Sequence, residues 1–154
     1  MTARVERPAA ERGPKESRHR GRESAVQMLY QWEVGRDSMV EVRQTFWTGP
    51  ASEDAMPEAN RTFATALADG VVAHVAEIDP IITEAAEHWR IERMSVMDRL
   101  ILRLAVYEFL KQPETPARVI INEALELART FSNDDAVRFI NGILDAIRKK
   151  LERE

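Results

Sequence analysis

The stretch Met94-Ser95-Val96-Met97-Asp98-Arg99-Leu100-Ile101-Leu102-Arg103-Leu104-Ala105-Val106-Tyr107-Glu108-Phe109-Leu110 decides the fold. Val96, Met97, Leu100, Ile101, Leu102, Leu104, Ala105, Val106, Phe109 and Leu110 leave no broad polar face on a helix. A helix lying on a core needs only one apolar stripe, whereas a helix apolar nearly all round has neighbours on every side. The segment is therefore read as the central helix of a bundle.

Helical spacing continues in both directions. Toward the C-terminus, Pro113 and Pro116 bracket a short loop, and residues 119–130 and 134–151 give two more helices. The last carries Val137, Ile140, Leu144, Ile147 and Leu151 in near-heptad register, with Ser132 and Asp135 resembling a capping box at its start. Toward the N-terminus, Asp79-Pro80 reads as a cap followed by proline at the first position of a helix over 80–88. Phe63, Leu67, Val71 and Val75 mark a third helix, in which Gly70 lets a neighbour approach closely. A polar, proline-bracketed segment at 50–57 reads as a surface loop. A weaker pattern on Val40, Val42, Phe46 and Trp47 ends at Gly49-Pro50. The first helix spans 23–34 on Ala25, Val26, Met28, Leu29 and Trp32, and Gly35 is read as its stop. With no strand alternation and no Asn-Gly hairpin, seven helices predict an all-α bundle.

The composition agrees with one soluble domain. The 154 residues carry 44% apolar and 31% charged side chains, enough for a single core. Cysteine is absent, which excludes disulfides, a thiol nucleophile and cysteine-ligated zinc, and suits a reducing cytoplasm. No apolar run approaches the ~18 residues of a membrane span. The net charge of −4 is unevenly spread: residues 1–22 hold seven basic and three acidic side chains, a +4 arm on a body of −8. Residues 1–16 are read as a basic disordered tail ahead of a domain over 17–154.

Catalytic patterns are missing. His19, His74 and His88 lack triad or zincin spacing, and the glycines are isolated. Glu84 and His88, one turn apart, are better read as an exposed polar pair than as metal ligands. No metal, cofactor or enzymatic activity is expected.

What the sequence offers instead is a set of residues suited to single-stranded RNA. Arg18, Arg20 and Arg22 can bond phosphates, and Tyr30 can stack on an unpaired base. The competing reading makes Tyr30 a core residue with its hydroxyl at the rim. Arg138, Phe139, Asn141 and Gly142 follow one another on the last helix, and Phe139 can equally be core.

Four stretches resemble one family. Arg20-Gly21-Arg22-Glu23-Ser24-Ala25-Val26-Gln27-Met28-Leu29-Tyr30-Gln31-Trp32 is similar to the opening of the bacterial transcription antitermination factors of the NusB family. Residues 99–108, 121–131 and 139–145 are similar to its other signature stretches, in the same order. The resemblance covers the chain from about residue 17 onward.

The resemblance implies seven helices in two subbundles, without catalysis. It further implies binding to the boxA element of nascent ribosomal-RNA transcripts and a heterodimer with the ribosomal protein NusE, acting on an RNA polymerase antitermination complex. By motif position, Arg18, Arg20, Arg22, Tyr30, Arg138 and Phe139 would contact RNA. Asp98, Arg99, Glu108, Asp134 and Asp135 would face NusE, whose basic character suits an acidic surface. His19 interrupts the arginine run, and a charge that varies near neutral pH would weaken the grip on RNA. Glu123 and Glu126 are read as a solvated helical face. Asn122 and Asn141 are read as bonding helix ends inside the bundle. A homodimer that covers the basic groove is a further state known in the family. Three other readings compete: a protein-interaction or oligomerisation module without RNA binding, the RNA-binding domain of a ribosomal-RNA methyltransferase, and a helical enzyme. With no cofactor domain after Glu154, a fused methyltransferase is not expected.

Overall fold

The computed structural model describes residues 14–48, 56–87 and 89–154. Seven α-helices appear among them: α1 Pro14–Glu33, α2 Met39–Thr45, α3 Glu58–Ala73, α4 Val75–Ala85, α5 Val96–Lys111, α6 Ala117–Phe131 and α7 Asp134–Lys150. Single 3-10 turns follow α2 at Phe46–Thr48 and precede α5 at Ile91–Arg93. No strand occurs among the described residues.

The central helix is where its sequence put it. Leu100, Ile101 and Leu102 in α5 are fully buried, and α1, α3, α4, α6 and α7 all pack on it. Emptying one of these positions to alanine costs about 2–5 kcal/mol in a well-packed core. The N-terminal subbundle is α1 laid along α3, with α2 across them, and α4, α6 and α7 gather round α5. Gly70 is the close approach its spacing suggested, since a Cβ there would overlap the Tyr107 ring.

Local boundaries depart from the sequence reading in three places. Helix α1 begins at Pro14, well before residue 23, because proline suits a first helical position and the Lys, Glu and Arg that follow are good helix formers without an apolar period. Residues 14–16 of the expected tail are therefore helical, and 1–13 lie outside the described residues. Most of the expected loop at 50–57 lies outside them as well.

Helix α4 starts at Val75, so Pro80 sits inside it instead of opening it. The Asp79 side chain does not cap. It accepts from Nε and Nη2 of Arg103, each at 2.9 Å, and this part-buried two-point pair ties α4 to α5. At α7 the cap is Asn133, whose side chain accepts from the Ala136 N–H at 2.9 Å, while Ser132 donates instead to Asp98 at 3.0 Å.

Candidate nucleic-acid interface

On α1 the side chains of Glu16, Arg20, Glu23, Gln27 and Tyr30 recur at helical spacing within one arc that is exposed or half-exposed. Tyr30 is 44% exposed, which settles its open reading in favour of the surface. Arg20, ten residues earlier and half-buried, lies about 15 Å along the axis and about 80° round from Tyr30. Arg18 is exposed at the start of the helix but points about 120° round from Tyr30.

Arg22 and Glu108 depart from expectation. Arg22 is 3% exposed and Glu108 2%, and they face each other. Nε of Arg22 donates to both Glu108 oxygens at 3.2 and 3.0 Å, Nη2 donates to Oε1 at 2.7 Å, and the guanidinium lies 5.6 Å over the Phe63 ring. A cation enclosed this way is closed to phosphate, and its carboxylate partner is closed to a docking protein. The pair fixes α1 on α5 beneath the surface that the sequence assigned to it.

His19 departs as well. Its Nδ1 lies 2.6 Å from Glu123 and its Nε2 2.9 Å from Glu23, and the bond to Glu123, followed by that to Glu23, lifts its pKa to about 9. The ring is thus a steady cation at neutral pH, spent on two carboxylates. Glu123 is correspondingly 6% exposed and not part of a solvated face. Asn122 and Asn141, expected inside, are exposed.

The remaining expected residues meet at one end of the bundle. Arg99 reaches from the start of α5 to Glu33 at the end of α1 at 2.8 Å and to the Ile91 carbonyl at 3.3 Å. Asp98 holds Ser132 just before α7. Arg99 is thereby turned inward, 12% exposed at its side chain. Asp134 and Asp135 stand exposed on the first turn of α7, where carboxylates suit the helix dipole, and Arg138 reaches Asp135 at 2.6 Å. Arg138 is 78% exposed at its side chain, so this contact holds it only weakly.

Phe139 is half-buried, and its ring partner is Trp89, 6.3 Å away with the planes at 65°. Tyr30 rises one turn before Glu33 at this same end, without joining the Phe139–Trp89 pair. Trp89 escaped the sequence reading, although an indole in the polar run Glu87-His88-Trp89-Arg90, outside any apolar period, was a usable signal. His88 lies outside the described residues, and Glu84 pairs with Lys150. Among the described residues no cluster suits a metal ion, and no helix is long and apolar enough to cross a membrane.

The chain is similar to known proteins along most of its length. Residues 19–149 match the model of the NusB family. The transcription antitermination protein NusB of Koribacter versatilis is 45% identical over 138 residues, spanning 90% of this chain and 92% of that protein. That of Solibacter usitatus is 47% identical over 135 residues, 88% and 90% of the two chains. Among solved structures, T. maritima NusB superposes with a TM-score of 0.75 at 32% identity over 86% of this chain and 91% of that one. A chain from a complex of the antitermination factors NusB and NusE with double-stranded RNA gives 0.78 at 25% identity, over 88% and 98%. On its sequence and on its fold alike, the chain belongs to the NusB family.

Proposed function

We propose that this protein is a transcription antitermination factor that binds boxA RNA and pairs with NusE, so that the two together support read-through by RNA polymerase. It acts in the cytoplasm, by binding and not by catalysis. The observation that carries the RNA half is the exposed ring of Tyr30 on α1, with the half-buried cation of Arg20 about 15 Å back along the same helix. Arg18 adds charge at the start of the helix, and Arg138 and Phe139 offer a further cation and ring on α7. Cations position the phosphates and the rings hold unpaired bases. The acidic group of Asp98, Asp134 and Asp135 at the starts of α5 and α7 suits a basic ribosomal protein.

Fluorescence anisotropy with boxA RNA, the same nucleotides scrambled, and a duplex of equal length tests this reading, with and without NusE. Preference for unpaired boxA, strengthened by NusE, is the expected result. Equal binding to all three RNAs removes the sequence-reading role. No binding to any of them leaves a protein-interaction module.

A further inference from the structure

Trp89 is 54% exposed, a large apolar face left in water. Its placement is built. Glu87 takes a left-handed backbone at φ 50, which ends α4 and turns the chain, and the Trp89 N–H donates to the Ala86 carbonyl at 3.1 Å. Two residues on, buried Ile91 pins the segment to the core. On its other side the indole meets Phe139 of α7 edge-on. The ring is therefore held, with more than half of the residue's surface still open to a partner. Its neighbours Arg90 and Arg93 are exposed, as is Arg138 next to Phe139. Among the described residues the other large exposed apolar side chains, Tyr30, Val34 and Val40, lie on α1 and α2 and just after α1, so no broad apolar patch of the kind a protein partner covers is centred on Trp89 there.

We propose that Trp89, braced by Phe139, is a stacking platform for an unpaired nucleobase, with Arg90 and Arg138 beside it for the adjoining phosphates. Indole offers the largest face for a base, and rings interleaved with arginines are the common means of holding single strands. The inference rests on the proposed RNA binding and extends it from α1 and α7 to the connection between α4 and α5.

The test is anisotropy of the full chain with single-stranded boxA RNA. Trp89→Ala is expected to weaken binding about 5- to 100-fold, and Trp89→Phe, which keeps a ring, only a few-fold. A second measurement does not depend on the stability of either variant: with Trp32→Phe and Trp47→Phe in place, Trp89 is the sole tryptophan, and its fluorescence should be quenched as RNA saturates the protein. RNA binding by the unsubstituted chain with no quench, or with Trp89→Ala at full affinity, overturns the platform and leaves the proposed function standing. Loss of NusE binding with RNA affinity intact overturns it in favour of a protein contact. No RNA binding by the unsubstituted chain overturns both readings.

Discussion

Arg22 and Glu108 meet beneath the surface, Nη2 to Oε1 at 2.7 Å, with their side chains 4% and 3% exposed. The contact joins the helix that carries Tyr30 to the central helix of the bundle. Removing either partner strands the other charge, so Arg22→Ala or Glu108→Ala should cost about 3–5 kcal/mol. Arg22→Lys should not restore it, because a point charge cannot reproduce the two-nitrogen contact. Urea unfolding of the three variants checks this, and a loss under ~1 kcal/mol for each would place the pair in solvent.

Arg20 should answer to RNA. Arg20→Ala is expected to lower the slope of log affinity for boxA RNA against log salt by ~0.7. A titration across salt concentrations reads both the affinity and the slope. An unchanged slope removes Arg20 from the phosphate contacts.

His19 gives a pH signature. Its folded pKa is raised from 6.5 to about 9, so its bonds to Glu123 and Glu23 contribute fully below 6.5, and that contribution is lost as pH rises from there through about 9. Stability measured across this window should fall in the unsubstituted protein by more than in His19→Gln. RNA affinity near neutral pH should change little, since the ring stays charged there and faces carboxylates. Parallel pH profiles for the two proteins would show that the ring does not hold α1 to α6.

The acidic start of α7 should answer to NusE. Asp134→Lys with Asp135→Lys is expected to slow association and weaken the heterodimer while RNA binding persists, at a helix-dipole cost of ~0.3–1 kcal/mol per site. Surface plasmon resonance with each partner in turn separates the two effects. A normal heterodimer places NusE elsewhere.

The bundle was legible because burial writes a period into the chain. Leu100, Ile101 and Leu102 announce a helix with neighbours on all sides, and Gly70 in mid-helix announces a close approach that Tyr107 makes. Polar partnerships leave no such trace. Arg22 finds Glu108 across 86 residues of sequence and His19 finds Glu123 across 104, so an arginine-rich run looked uniformly exposed when one of its members is buried and its histidine is committed. Pro80 misled for a local reason: Asp-Pro is a good helix start, and only the demand of Arg103 on the Asp79 carboxylate shows that the helix was already under way. Tyr30 lay between the two cases, since its outward turn depends on which side of α1 the other helices occupy.

The most direct test of the account is the affinity of Tyr30→Ala for boxA RNA, measured beside its melting temperature. An exposed ring that stacks on a base should cost ~1–3 kcal/mol of binding when removed, with the fold as stable as before. Undiminished affinity in a folded variant would contradict the claim that the outward face of α1 holds RNA.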